Sequence, residues 1–255
     1  MHLTPSESPQ ETAPSSSRLQ SAGEHGLRYG LRDGASQAVT QGSGEQYLSA
    51  FALLLHASPF QLSVLSALPQ LIGTGAQLAS VKLLQWFPNR KTLISAGTVG
   101  QAFAWIPIVL LPLLLPQWGP WLVVGGAAAY FACAHFTTPA WNSLIADWLN
   151  QHERGAYFAR RAQIVASLSF FALCGAGWVL SLWQHSTVAW WGFVLIFSVA
   201  GSARLLSVLA LSPVQDVHPT AHWEAQQGFR GFFCQHATKD FRRFLRFAGL
   251  MHVAG

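Results

Sequence analysis

The chain has 255 residues, of which 51% are hydrophobic and only 10% are charged, whereas a soluble domain carries about 25% charged residues. This composition disfavours a soluble helical protein, and the 11 Trp and 17 Phe are typical of a membrane protein with aromatic residues at its interfaces. The formal charge of +5 comes from basic residues scattered singly between apolar runs, which argues against a nucleic-acid-binding surface.

The N-terminal region is polar. Residues 1–29 are rich in Ser, Pro, Glu and Gln and lack the apolar run of a secretory signal, so we predict a disordered tail. The first membrane span is predicted over 31–57, although only 47–55 is plainly apolar. Because a crossing needs about 20 residues, we expect the polar half to be helix shielded by neighbouring protein, with a loop as the alternative.

Five further apolar runs predict five more spanning helices, separated by short polar or Pro-rich links that cannot lie in hydrocarbon. Their predicted ranges are 61–84, 92–115, 121–148, 161–183 and 188–211. A polar linker is predicted over 212–243. Residues 244–255 are apolar again but too short to cross a bilayer, so we expect them to be the start of a seventh span in a longer protein.

The basic residues orient these spans. Of the 15 Lys and Arg residues, 14 lie on the same side of the predicted spans, and the fifteenth, Arg204, lies within a span. Cytoplasmic loops carry an excess of Lys and Arg. We therefore predict a multi-pass protein of the cytoplasmic (inner) membrane, with its N-terminus and the 212–243 linker in the cytoplasm.

The link between the fourth and fifth predicted spans carries a local signature. From Asp147 to Arg161 it reads Asp-Trp-Leu-Asn-Gln-His-Glu-Arg-Gly-Ala-Tyr-Phe-Ala-Arg-Arg, which resembles the acidic-then-Arg-Gly loop of bacterial members of the major facilitator superfamily. The stretches 45–53 and 69–78 look like the first two spans of a poorly characterised bacterial branch. The resemblance covers roughly 30–211. It implies an all-α membrane protein whose six transmembrane helices form two three-helix repeats, the N-terminal bundle of that superfamily.

The resemblance is incomplete in the link between the second and third spans. Members of the superfamily usually have an Asp there, followed by a basic Arg-x-Gly-Arg-Lys run. Asn89, Arg90 and Lys91 match the basic end, but Gln85 and Trp86 occupy the region of the Asp. The gating ion pair of that Asp is therefore expected to be absent or to use another carboxylate.

The resemblance implies a secondary active transporter that moves a small solute by alternating access, with proton coupling. A missing C-terminal half of six helices would complete the cavity, and the chain alone is not expected to transport. The alternative is a non-transporting six-span membrane protein, such as an assembly partner or sensor. The sequence contains no nucleotide-binding or hydrolase motif, so we expect no enzyme activity, no catalytic residues, no cofactor and no metal.

Glu45 is the main candidate for proton coupling. A rise of about 1.5 Å per residue places it roughly 21 Å along the first span, where a carboxylate costs about 2.5–3.5 kcal/mol or more unless it is protonated, paired or facing water. Gln37, Gln41 and Glu45 follow at i, i+4 and i+8 and form one polar stripe. We predict that this stripe binds substrate or couples protons. The alternative is a structural carboxylate bonded to a neighbouring helix.

A second polar stripe lies on the fourth predicted span. It contains His135, Thr138 and Asn142, and an imidazole can relay protons because it changes charge near neutral pH. We predict that His135 and Asn142 belong to the substrate or coupling site. Hydrogen-bonded packing of a membrane histidine is the alternative.

Charged residues near the cytoplasmic ends of the spans are candidates for ion pairs that break and reform as two halves rock around a central site. They are Asp33, Asp147, Arg154, Arg160, Arg161 and Arg204. Simple interfacial anchoring is the alternative. Arg204 lies roughly 10 Å inside the membrane, and we favour its pairing with Asp147 or Asp216 over snorkelling to the surface.

Overall fold

The computed structural model describes residues 16–83, 89–149, 152–183 and 189–211, together with residues 243 and 247. Every regular element in these residues is helical, so the all-α prediction is confirmed for the described part of the chain. The predicted 212–243 linker and the predicted start of a seventh span lie outside it, apart from those two residues. The helices are α1 (Ser16–Ser43), α2 (Leu48–Leu54), α3 (Pro59–Leu83), α4 (Arg90–Leu114), α5 (Gly119–Trp148), α6 (Arg154–Trp183) and α7 (Ala189–Leu211).

Four stretches of the described chain are long and apolar enough to cross a membrane, which indicates a membrane protein. They are Arg90–Leu114, Pro116–Ile145, Arg154–Trp183 and Ala189–Leu211. Two of the six predicted spans, in α1 and α3, are not among them. Both helices are long, but α1 carries charged residues such as Arg28, Arg32 and Asp33, and α3 carries a series of Gln, Ser and Thr residues.

The start of α1 corrects the predicted tail. This helix begins at Ser16, so the prediction of disorder does not hold for 16–29. Residues 1–15 lie outside the described part of the chain. The absence of an apolar run in 16–29 excludes a membrane span there, but it does not exclude a polar helix.

The end of α1 corrects the predicted first span. The helix stops at Ser43, and a 3₁₀ turn over Glu45–Tyr47 separates it from α2. Gly44 is packed too closely for a side chain, because a Cβ there would lie 2.6 Å from the Trp105 ring. The predicted 31–57 span is therefore two helices joined at the turn that carries Glu45.

The bundle is built around two central helices. α1 packs against α6 and α7, while α5 packs against α3 and α4. Contact between α4 and α7 joins the two groups, and α1 also contacts α5. Each apolar helix thus has a covered face and a face open to its surroundings. α6 exposes large side chains, among them Phe170, Phe171 and Trp178, as expected of a lipid-facing surface.

Two apolar clusters lie at different levels of the bundle. One includes Phe51, Trp105 and Phe197 and contains Leu48 of α2. The other contains Tyr29 of α1 and packs it with residues of α4, α5 and α7. Along α1 the stretch between the two clusters carries Asp33, Gln37 and Gln41. The polar residues of the first predicted span therefore occupy the layer between two apolar layers.

Candidate functional site

A polar cavity of about 410 Å³ lies in this middle layer, between α1, α3, α4, α5, α6 and α7. Its volume falls within the range of about 300–1,000 Å³ that is usual for small-molecule sites. The residues that line it are Asp33, Gln37, Gln41, Glu45, Gln70, Ile94, Thr98, Gln101, Phe131, Ala134, His135, Thr137, Thr138, Trp141, Asn142, Arg161 and Arg204.

All five residues predicted for substrate binding or proton coupling line this one cavity. Gln37, Gln41 and Glu45 come from α1 and the turn that follows it, and His135 and Asn142 come from α5. The helical spacing of each set places its members on one side of the helix. Contact between α1 and α5 then brings the two sets together.

Glu45 is held by neutral hydrogen-bond donors. The Tyr130 hydroxyl of α5 donates to Glu45 Oε1 at 2.6 Å, and Gln37 Nε2 donates to the same oxygen at 3.3 Å. Among the described residues no Lys, Arg or His forms an ion pair with Glu45. A carboxyl group with neutral partners can gain or lose a proton without breaking an ion pair.

The sequence analysis missed several lining residues on α3 and α4. Thr98 and Gln101 of α4 and Gln70 of α3 line the cavity. Gln101 is 1% exposed, and its Oε1 atom is buried without a hydrogen-bond partner in the described part of the chain. The spacing of Thr98 and Gln101, at i and i+3 in an apolar helix, was the signal that could have identified them.

Asp33 is the centre of a buried ion-pair cluster. Its Oδ1 accepts hydrogen bonds from Arg204 Nη1 at 3.2 Å and from the Ser207 hydroxyl at 2.7 Å. Arg161 Nη2 lies 3.5 Å from Asp33 Oδ2. Asp33 is 6% exposed and Arg204 is 4% exposed. The cluster therefore ties α1 to both α6 and α7 in a site from which water is largely excluded.

Tyr29 lies one helical turn before Asp33. Burial raises the pKa of the Tyr29 hydroxyl well above its ordinary value, and the Asp33 carboxylate raises it further. The hydroxyl therefore stays uncharged at physiological pH. Tyr29 adds no charge to the cluster.

Arg161 lines the cavity and also contacts three groups of the protein. Its guanidinium carbon lies 4.3 Å from the centre of the Trp141 ring, its Nε donates to the Gly30 carbonyl at 3.3 Å, and Nη2 reaches Asp33. A cation over an indole face is attracted by the ring quadrupole. Arg161 thus connects α6 to α1 and to α5 at the edge of the cavity.

A second ion pair joins α4 to α5. Arg90 Nη1 lies 2.6 Å from Asp147 Oδ2 and donates to the Ser143 hydroxyl at 2.9 Å. Arg90 is buried, whereas Asp147 is exposed. The Asp147 carboxylate thus pairs with the basic end of the link between the second and third predicted spans. Gln85 and Trp86, where the resemblance departs, lie outside the described residues.

The predicted gating residues do not have the partners that we expected. Arg204 pairs with a carboxylate, but that carboxylate is Asp33 and not Asp147, while Asp216 lies outside the described residues. Arg154 Nε donates to the Leu149 carbonyl at 3.3 Å, and Arg160 is exposed. Neither Arg154 nor Arg160 lines the cavity.

Within the described residues, no group of three or more His, Cys, Asp and Glu side chains could hold a metal ion. Comparison of the chain with protein-family models, with curated proteins and with solved structures finds no match. The function is therefore inferred from the residues and contacts given above.

Proposed function

We propose that this chain is part of a secondary active transporter that moves a small solute through the membrane by alternating access, coupled to protons. The observation that carries the proposal is the polar cavity in the middle layer of an otherwise apolar bundle, with the Glu45 carboxyl group inside it. Polar and ionisable groups are costly within a membrane and are kept there for a solute or ion pathway.

Glu45 is the proposed proton carrier. It lies at the turn between α1 and α2, and helix breaks near the membrane centre are a recurrent feature of transporter binding sites. The Tyr130 hydroxyl and the Gln37 amide stabilise the ionised form by donating to Oε1. In the protonated form, the carboxyl group loses its charge and gains an O–H donor. A solute that forms a hydrogen bond with Glu45 would therefore bind the two forms with different affinity, which links its binding to that of the proton.

The packing pattern supports an architecture of two three-helix repeats. Exchanging α1, α3 and α4 for α5, α6 and α7 maps the α1–α6 contact onto α5–α3, and the α1–α7 contact onto α5–α4. The α4–α7 contact maps onto itself. Among the helix contacts of the described residues, the small α6–α7 contact has no counterpart of similar extent between α3 and α4. Internal repeats of this kind are a hallmark of secondary transporters. We therefore propose membership of the major facilitator superfamily.

The side of the cavity that carries Gln70 and Asn142 is exposed. We propose that a second six-helix half covers it in the working transporter and that the solute binds between the halves. The two ion pairs, Asp33 with Arg161 and Asp147 with Arg90, join helices within this half, and we propose that they break and reform as the two halves rock. The positive-inside rule assigns these pairs to the cytoplasmic side of the inner membrane.

Proton-coupled flux through the full-length gene product tests this function. The protein is reconstituted into liposomes that contain a pH-sensitive dye, and a panel of sugars, polyols, amino acids, carboxylic acids and amines is added outside. We expect at least one solute to cause proton movement across the membrane when it is added, because the protein carries the two together. Glu45→Gln should abolish solute-dependent proton movement while the protein still unfolds cooperatively.

Glu153→Gln is the matched control, because Glu153 is exposed in the link before α6 and does not line the cavity. It should leave flux unchanged. Unaltered proton movement in Glu45→Gln would overturn the coupling role. A folded protein that moves none of the solutes would favour the non-transporting alternative.

A further inference from the structure

One residue of the cavity lining carries a buried hydrogen-bond acceptor that has no partner among the described residues. Gln101 is 1% exposed, lines the cavity, and has an Oε1 atom without a partner in the described residues. Buried polar atoms are nearly always paired, so an exception requires a reason. Because an amide oxygen can only accept, the group that meets it must donate through a hydroxyl or an N–H.

The formal charges of the cavity lining balance. Two carboxylates, Asp33 and Glu45, face two guanidinium groups, Arg161 and Arg204. Asp33 is already engaged by both arginines. A solute with a carboxylate would compete with Asp33 for them, whereas a neutral solute leaves the cluster intact. The charge pattern therefore disfavours a solute with a carboxylate.

The uncharged part of the lining offers donors and acceptors together. Besides Gln101, the amides of Gln41, Gln70 and Asn142 line the cavity, and an amide carries both functions. The Thr98 hydroxyl donates to the Ile94 carbonyl at 2.8 Å, which leaves its oxygen able to accept. A hydroxyl group of a solute also donates and accepts, so such a lining matches a molecule with several hydroxyl groups.

The lining also contains the apolar aromatic residues Phe131 and Trp141. The guanidinium group of Arg161 lies over the Trp141 ring, with its carbon 4.3 Å from the ring centre. Aromatic surface beside amides suits a molecule that has apolar C–H faces as well as hydroxyl edges. A purely ionic solute has no such faces.

We propose that the cavity binds a neutral, polyhydroxylated solute, a sugar or polyol, and that Gln101 accepts a hydrogen bond from one of its hydroxyl groups. This solute class would be the substrate of the proposed transporter. Only the step from binding to transport rests on the proposed function. Binding itself is a separate property of the cavity and is measured without transport.

Thermal unfolding of the purified full-length gene product in detergent tests the binding. The panel contains neutral pentoses, hexoses, disaccharides and alditols, with uronic acids and amino sugars that share the same rings, and amino acids. We expect a neutral member to raise the unfolding temperature in a saturable manner, and its charged counterparts to bind at least about tenfold more weakly, since each lost or unpaired hydrogen bond costs about one such factor.

Gln101→Leu should weaken binding of that neutral solute by about tenfold or more. Gln77→Leu, on α3 and outside the cavity lining, is the matched control and should bind normally. Thr98→Val is a second variant, which removes the hydroxyl acceptor of Thr98. It should also weaken binding of the neutral solute, and it replaces Gln101→Leu in the test if that variant does not fold.

Stabilisation by charged solutes alone, by none of the panel, or equally in Gln101→Leu and wild type would overturn the proposal. Transport distinguishes it from the proposed function. If a charged solute drives flux in liposomes, the substrate class is wrong and the transporter stands. If a neutral sugar binds in detergent but no solute is carried, the binding site stands and the transporter is wrong.

Discussion

The Tyr130 hydroxyl donates a hydrogen bond of 2.6 Å to the carboxylate of Glu45, and this contact links the middle of α5 to the turn between α1 and α2. Tyr130 is fully buried, and its ring packs at 5.0 Å from Trp105 and at 5.2 Å from Phe131 between ring centres. The rigid ring therefore fixes the position of the only hydroxyl that reaches Glu45 among the described residues.

Tyr130→Phe removes this hydroxyl and keeps the ring. We expect the free energy of unfolding to fall by about 1.5–3 kcal/mol, the usual range for a hydrogen bond to a charged group, and solute-dependent proton flux to decrease. Denaturant unfolding and liposome flux measure the two effects. Tyr47→Phe is the control, because the Tyr47 hydroxyl donates to the Leu173 carbonyl at 2.8 Å in an exposed position. Equal loss of flux in both variants would contradict a specific role for Tyr130.

The buried pair of Asp33 and Arg204 makes a stability prediction. Arg204→Met leaves a buried carboxylate with less compensation, so we expect a loss of about 3–5 kcal/mol of unfolding free energy. The double variant Asp33→Asn, Arg204→Met should lose less than the sum of the single variants, because the two residues interact directly. Arg160→Met, at an exposed position, should change stability by no more than about 0.5 kcal/mol. Additive losses in the double variant would argue against the pair.

The sequence predicted the residues of α1 and α5 that carry polar stripes into the cavity, but neither the lining residues of α3 and α4 nor how the charges pair. Helical periodicity placed Gln37, Gln41 and Glu45 on one side of α1, and the structure has all three in the cavity lining. The sequence analysis matched Arg204 to Asp147 or Asp216. Arg204 instead reaches Asp33, because its helix α7 packs on α1 and α4. Pairing depends on which helices are neighbours, and periodicity carries no information on that.

The break after α1 was also outside the reach of the sequence analysis. The sequence pattern around Gly44 does not mark it as a break, and its role becomes apparent only from the Trp105 ring packed against it. The same holds for the ion pair of Arg90 with Asp147, whose members lie on α4 and α5. Both features come from contacts between distant parts of the chain.

Close packing of α1 on α6 makes Gly42 sensitive to substitution. A Cβ at Gly42 would lie 2.3 Å from the Ser169 carbonyl oxygen and 2.9 Å from the Leu173 amide nitrogen. Backbone atoms cannot turn aside, so Gly42→Ala should force the helices apart and cost about 1–3 kcal/mol. Gly175→Ala, on α6 with nothing near its Cβ, is the control and should be neutral or slightly stabilising. Thermal unfolding compares the two, and equal stability would contradict the close approach.

The orientation of the bundle predicts which links are accessible from each side of the membrane. The link between α2 and α3, which includes Ser58, contains no Lys or Arg. The link between α5 and α6 includes Glu153, which directly precedes Arg154. In a background without the three native cysteines, a membrane-impermeant maleimide added to intact cells should label Ser58→Cys. It should not label Glu153→Cys until the membrane is permeabilised, because that link is predicted to be cytoplasmic.

The reverse labelling pattern would place the Arg90–Asp147 ion pair on the outer side of the membrane, since Asp147 lies close in sequence to Glu153. Labelling of both positions in intact cells would contradict an odd number of crossings between them. The expected pattern would leave Asp33, Arg161 and Arg204 nearer the cytoplasm than Glu45, because the chain enters α1 from the side of its basic N-terminal region. The Asp33 cluster would then lie between the proposed proton carrier Glu45 and the cytoplasm.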